Sequence, residues 1–213
     1  MTKQSISRDF VLALPKTDLH VHLDGSIRIN TLIELAKEYN VSLPSYTEEG
    51  LRELVFKDRY ESLGDYLKGF GYTCAVLQSE LALERTAYEL AIDNLSEGVR
   101  YLEVRFAPQL HVHAHMTAIQ VLRAVDRGLR RAQSEYNARP EISSGQEPEF
   151  GYGIIICAMR MFNEHFSEYF RNIINTHRHA PKKELFSLAS LELARAGIEA
   201  RDVYGLPVVG FDL

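Results

Sequence analysis

Cysteine, basic charge and long apolar runs are all scarce in this sequence, and each shortage excludes a class of protein. Only two cysteines, Cys74 and Cys157, occur in 213 residues, and they form no CxxC pair. We therefore expect reduced, buried thiols in a cytoplasmic protein rather than a disulfide framework. Lys and Arg number 24 against 29 Asp and Glu, without a basic block, which argues against nucleic acid as the main partner.

Membrane association is likewise not expected. No apolar run approaches the ~18 to 20 residues that a membrane-spanning helix needs. The apolar patch at residues 10–14 lacks the architecture of a signal peptide. The remaining composition, 46% hydrophobic and 25% charged, is typical of a globular protein with a real core.

Strand-like and helical segments alternate along the chain. The patterns predict strands near 17–23, 99–106, 151–159 and 207–212. Helical periodicity covers 31–40, 51–56, 62–78, 80–98, 117–136, 166–176 and 183–196, whereas the polar segment 137–149 is a predicted loop. Alternation of this kind indicates a parallel α/β fold, as a closed barrel or a doubly wound sheet. A dinucleotide-binding fold lacks its main support because no G-x-G-x-x-G follows the first strand.

Two histidines one residue apart stand out in the stretch 15-PKTDLHVHLDGSIR-28. On a strand, His20 and His22 point to the same face, ~6.6 Å apart along the chain, so both imidazoles can converge on one ion. The pair lies at the end of the first predicted strand, where the chemistry of parallel barrels is located. Spacing alone leaves open the alternative of ordinary histidines with hydrogen-bonded partners.

The whole stretch resembles the opening strand of the adenosine deaminase family, within the metal-dependent amidohydrolases. The resemblance continues in order at 63-LGDYLKGF-70, 101-YLEVRFAP-108, 156-ICAMR-160 and 208-VVGFDL-213. It implies an α/β fold of the (β/α)8 TIM-barrel type, of which residues 1–213 would form the N-terminal half with about the first four strands. It also implies one zinc ion and hydrolytic deamination of adenosine or 2′-deoxyadenosine to inosine and ammonia in purine salvage.

The same resemblance implies roles for individual residues. His20 and His22 would be zinc ligands, and Asp24 would hydrogen-bond the ribose 5′-hydroxyl of the nucleoside. An apolar lid over the substrate would consist of four side chains on one helical face, with core packing as the alternative: Leu63, Tyr66, Leu67 and Phe70. Residues near the ends of the later strands would support the site through buried ion pairs, with a direct catalytic role as the alternative: Arg105, Arg160 and Asp212.

Further histidines are interpreted as surface residues. His111, His113 and His115 follow the second strand in a stretch that is a variable loop in the family. We expect them to bind metal only adventitiously. The same interpretation applies to His165, His177 and His179.

The family's remaining machinery is expected beyond Leu213. It comprises a third zinc histidine, a proton-shuttling glutamate, a later histidine and an aspartate ligand, so no catalytic residue of this kind is predicted within the chain. We therefore expect a truncated chain that is inactive alone. The alternatives are a deaminase of another 6-aminopurine (adenine, an aminodeoxyfutalosine-like nucleoside or AMP) and a non-catalytic half-barrel that self-associates. Asp24 would repel a phosphate and so favours a nucleoside.

Overall fold

A parallel sheet with helices on its outer side forms the part of the chain that the structure, a computed structural model, describes, namely residues 6–213. The first five residues of the predicted 1–213 domain lie outside this range. The strands are β1 (Lys16–His22), β2 (Val99–Phe106), β3 (Gly151–Cys157) and β4 (Val208–Asp212). Within the described residues the strand order is β1-β2-β3-β4, with every pair parallel. This sequential order confirms a partial barrel, because a doubly wound sheet places its first strand centrally.

Helices connect the strands and precede β1. Their bounds are α1 (Arg8–Ala13), α2 (Ile29–Glu38), α3 (Glu48–Leu54), α4 (Leu63–Val76), α5 (Glu80–Ser96), α6 (Ala118–Asn137), α7 (Pro140–Ser143), α8 (Glu168–Thr176) and α9 (Lys182–Asp202), with a short 3-10 helix at Pro108–Leu110. None of the helices within residues 6–213 is both long and apolar enough to cross a membrane.

Local sequence signals account for the helix ends. Hydroxyl side chains accept a hydrogen bond from the backbone N–H three residues on, at Thr47, Ser62, Ser79, Thr117 and Ser167. Helix α5 ends before Gly98, whose φ of +86° is the left-handed conformation that glycine adopts without strain.

The main core lies between the outer face of the sheet and helices α5 and α6. Leu102, Val104 and Phe106 of β2 point outward into it and are at most 1% exposed. Helices α5 and α6 approach so closely that a Cβ at Gly128 would lie 2.2 Å from the carbonyl oxygen of Glu84. This packing fixes β2, and therefore fixes the carboxyl end of β2 where Arg105 lies.

Some predicted boundaries are wrong. The predicted loop 137–149 contains the short helix α7, because Pro140 at its first turn favours helix formation. The third strand ends at Cys157 rather than at residue 159, and α9 continues past residue 196 because Ala200 is fully buried. Helix α1 was not predicted. Both cysteines are free, as expected, but each is half-buried rather than buried.

Candidate functional site

The carboxyl ends of β1, β2 and β4 bring the predicted polar side chains together. The rings of His20 and His22 lie on the same side of β1, with centroids 5.5 Å apart. His22 is in register with Arg105 of β2, and Cys157 of β3 is in register with Asp212 of β4. The expectation that these residues share one end of the sheet agrees with this geometry.

Arg105 is the central side chain of this cluster. It is 6% exposed and reaches two strands. One terminal nitrogen, Nη1, lies 2.7 Å from His20 Nδ1, and the other forms an ion pair with Asp212. Its Nε has no hydrogen-bond partner among the described residues. The guanidinium therefore ties the ends of β1 and β4 to β2, and one of its donors stays unsatisfied.

Asp24 lies directly after β1 and is buried, with 5% exposure. Burial raises the pKa of Asp24 to about 6, and hydrogen bonds from the backbone N–H groups of Asp24 and Gly25 oppose that rise. The Oδ1 atom accepts no hydrogen bond from the described residues and lies 3.8 Å from His22 Nδ1. A buried carboxylate oxygen without a partner calls for explanation, and a ligand donor is one such explanation.

Imidazole rings are suitable ligands for a metal ion, but two of them are too few to form a complete site. Burial, the charge of Arg105 and the neighbouring His20 lower the pKa of His22, so its ring is neutral and has a lone pair to offer. Within residues 6–213, no group of three or more His, Cys, Asp or Glu side chains is arranged to hold a metal. Two imidazoles alone are fewer than the three protein ligands that a catalytic zinc usually has.

The predicted lid face of α4 is directed to solvent beside Asp24. Leu63, Tyr66 and Leu67 are 72%, 44% and 50% exposed, so the alternative of core packing is wrong for them. Phe70 is half-buried, and its ring would lie 3.4 Å from a Cβ at Gly25. Tyr66 and Phe70 make an edge-to-face contact with centroids 5.6 Å apart. An apolar, partly aromatic face therefore borders the carboxyl end of β1.

Arg160 differs from the other two strand-end residues. It is exposed, and its Nη2 donates to the carbonyl oxygen of Leu213 at 2.8 Å. The interpretation as a buried ion pair is therefore wrong for Arg160. For Arg105 and Asp212 it is right in part, because Arg105 is buried but the Asp212 side chain is 46% exposed.

The surface interpretation of the other histidines is wrong for His111. That side chain is fully buried, and its Nδ1 donates to the carbonyl oxygen of Leu77 at 2.9 Å. The apolar residues on either side, Leu110 and Val112, were the available signal for burial. His113 is half-buried, whereas the remaining members of the set are exposed: His115, His165, His177 and His179. A separate cavity of about 290 Å³ between α8 and α9 includes none of the residues predicted for the site.

Comparison with known proteins identifies the family. The family model described as adenosine deaminase matches residues 15–203. A probable adenosine deaminase of Dictyostelium discoideum is 39% identical over 177 residues, which are 83% of this chain and 21% of that protein. The adenosine deaminase of Vibrio atlanticus is 42% identical over 128 residues, which are 60% of this chain and 39% of that protein. The chain therefore spans less than half the length of these relatives.

Solved structures support the same fold. Arabidopsis ADAL complexed with GMP superimposes with a TM-score of 0.65 at 23% identity, over 96% of this chain and 51% of that one. The adenine deaminase from Arthrobacter aurescens gives a TM-score of 0.58 at 18% identity, over 93% of this chain and 48% of that one. The fold, the strand-end cluster and the family match over residues 15–203 lead to one conclusion: this chain belongs to the adenosine deaminase family.

Proposed function

We propose that residues 1–213 are the N-terminal half of the barrel domain of a zinc hydrolase that converts adenosine or 2′-deoxyadenosine to inosine and ammonia. The observation that carries this proposal is the buried, unpartnered Oδ1 of Asp24 beside the His20–His22 pair in a chain of this family. Free thiols fit a cytoplasmic location, where deamination of adenosine would serve purine salvage.

In this proposal His20 and His22 hold the zinc ion, together with donors from outside the described residues. When bound, the metal supplies the Lewis acidity that makes water a competent nucleophile near neutral pH. Arg105, which is held by Asp212, is the supporting residue beside His20, with its Nη1 at 2.7 Å from Nδ1 and 3.0 Å from Nε2 of that ring. Because a guanidinium only donates hydrogen bonds, it occupies a lone pair of the ring, so the His20 ring turns away from Arg105 when it binds the metal. Arg160 supports the loop after β3 through Leu213.

Asp24 selects the nucleoside. A ribose hydroxyl is a hydrogen-bond donor of the kind that its Oδ1 lacks. Adenine carries no ribose and would leave that oxygen unsatisfied. With a pKa raised to about 6, the carboxyl is mostly ionised at neutral pH and would repel the phosphate of AMP. These two arguments favour adenosine over adenine and over the nucleotide.

The apolar face of α4 covers the purine in this proposal. Tyr66 and Phe70 offer aromatic edges and faces next to Gly25, and Leu63 and Leu67 extend the same face. Closing an apolar surface over the site excludes water and so strengthens the electrostatic interactions inside. The exposure of Leu63, Tyr66 and Leu67 leaves these side chains able to contact a purine.

A second candidate is a half-barrel that self-associates without catalysis. The observation in its favour is the exposure of apolar side chains on the two edge strands, with Leu19 at 54%, Val209 at 53% and Phe211 at 43%. Exposed sheet edges with apolar side chains favour pairing with another chain. Stable oligomers of the 213-residue chain that contain no metal and support no turnover in any complemented form would favour this candidate.

The experiment that tests the proposal joins residues 1–213 to the C-terminal part of the Vibrio atlanticus adenosine deaminase. We expect the chimera to retain one zinc ion after dialysis and to convert adenosine to inosine, followed by the fall in ultraviolet absorbance. His22→Ala should remove both properties, whereas exposed His179→Ala, the matched control, should keep both. The unfused chain should bind zinc weakly and show no turnover, because it supplies two donors. Turnover by the unfused chain, or a fully active His22→Ala chimera, would contradict the proposal.

A further inference from the structure

The carboxyl end of α4 is tied to the segment that follows β2. Gln78 Nε2 donates to the carbonyl oxygens of Cys74 and Leu110, at 2.6 and 3.3 Å. His111 Nδ1 donates to the carbonyl oxygen of Leu77, the residue that caps α4. His113 Nε2 donates to the carbonyl oxygen of Gln78 at 3.1 Å. We name Gln78, His111 and His113 the α4 clasp.

The clasp satisfies backbone groups that the helix end leaves without partners. The last four carbonyls of a helix have no intrahelical donor, and those of Cys74 and Leu77 lie at this end of α4. His111 is the buried member of the clasp, with no exposed surface. Burial lowers the pKa of His111 to about 4, so the ring is neutral and donates through a single N–H. That N–H is given to Leu77, which fixes the tautomer.

The two halves of α4 are held very differently. In the carboxyl half, Thr73 and Val76 are buried and the clasp holds the end. The amino half carries the exposed lid residues, and its contacts include an edge-to-face contact of Tyr66 with Tyr60 and an ion pair between Lys57 and Asp65, whose atoms are 3.5 Å apart. A partly exposed ion pair and one aromatic contact hold this half less firmly than burial and the clasp hold the other half. The direction of the lid face is therefore decided mainly at the carboxyl end.

From this asymmetry we infer that His111 is a positioning residue: through its hydrogen bond to Leu77 it sets the orientation of α4 and hence of the substrate-facing side chains. This inference rests on the proposed function, because it takes the α4 face as the lid over the purine. His111 does not touch the substrate itself. It acts on the site across the length of the helix, through Phe70 beside Gly25.

Hydrogen exchange on the 213-residue chain tests the placement of the helix. His111→Leu removes the donor with a side chain of similar size, whereas His111→Asn keeps a nitrogen two bonds beyond Cβ, where Nδ1 now lies. We expect amides of residues 70–78 to exchange at least about tenfold faster in His111→Leu, the factor for one lost buried hydrogen bond, and to stay near the original rate in His111→Asn. Amides of α6 that exchange through local opening, apart from the clasp, should not change.

A second variant keeps the inference testable if the His111→Leu chain does not fold. His113→Ala removes a half-buried member of the clasp, and we expect a smaller acceleration, about threefold, confined to the same amides. Unchanged exchange at residues 70–78 in the folded variants would overturn the inference. Equal acceleration in α4 and α6 would also overturn it, since that pattern shows a purely global loss of stability.

Kinetics of the Vibrio chimera separate positioning from stability. His111→Leu should raise KM for adenosine about tenfold with kcat nearly unchanged, because the lid contacts the substrate equally in the ground and transition states. His111→Asn should restore KM. An unchanged KM in an active His111→Leu chimera would overturn the positioning role. An inactive unsubstituted chimera would instead count against the proposed function, and hydrogen exchange would then decide whether His111 places the helix.

Discussion

Replacement of Asp24 by asparagine is expected to stabilise the folded chain at neutral pH. The side chain is 5% exposed, and burial raises its pKa from 3.8 to about 6. Above that pH the carboxylate is ionised in both the folded and the unfolded chain, and the folded chain bears the cost of burying the charge. A difference of roughly two pKa units corresponds to about 3 kcal/mol of unfolding free energy, as an upper estimate.

The sign of the pH dependence follows from the direction of the shift. Because the folded pKa lies above the unfolded value, the folded chain binds a proton more tightly, and it gains stability as pH falls from about 6 to about 3.8. Asparagine has no such dependence. The advantage of Asp24→Asn over the original chain should therefore be complete above about pH 7 and should disappear below about pH 4.

Urea unfolding followed by circular dichroism at about pH 8 and about pH 4 measures this difference. Exposed Asp58→Asn is the matched control and should change stability by less than about 0.5 kcal/mol at either pH. Equal gains for Asp24→Asn at both pH values, or no gain at the higher one, would refute the argument that an uncompensated buried charge is present. In the Vibrio chimera Asp24→Asn should weaken adenosine binding, because a residue that binds a ligand often lowers the stability of the folded chain.

Three further predictions concern the metal, the packing of the helices and the lid. His22→Ala should further weaken the weak zinc binding of the 213-residue chain, and His179→Ala should not, as measured by titration with zinc. Gly128→Ala should destabilise the chain by about 2 kcal/mol or more in urea unfolding, because its Cβ would lie 2.2 Å from the Glu84 carbonyl oxygen. The control Gly71→Ala has no atom within 4 Å of its new Cβ and should stabilise the chain by up to about 1 kcal/mol. Equal effects of the two substitutions would contradict the close approach of α5 and α6. Leu67→Ala should change the free energy of unfolding by less than about 0.5 kcal/mol, because the side chain is 50% exposed. The same substitution should raise KM for adenosine in the chimera. A large loss of stability would show that Leu67 belongs to the core instead.

Secondary structure was predictable wherever local signals were strong. Thr117 begins α6 with a capping box that the sequence shows at residues 117–120, and Gly98 ends α5 in the one conformation that favours glycine. The pattern was less informative at 137–149, where polar turn formers hid a single helical turn that begins at Pro140. Short elements of this kind depend on neighbouring packing more than on propensity, so their prediction fails first.

The sequence by itself determined where the strands lie along the chain and the shared face of His20 and His22, because alternation on a strand and the helix period are local properties of the chain. The family followed from the resemblance of the quoted motifs. Only the tertiary structure decided which of the other polar residues are buried. His111 and Arg105 are buried, while Arg160 and three of the lid residues, Leu63, Tyr66 and Leu67, face solvent. Burial depends on which segments pack over a residue, and those segments lie dozens of positions away. His111, for example, is held by Leu77 of the preceding helix end, a contact that no local pattern encodes.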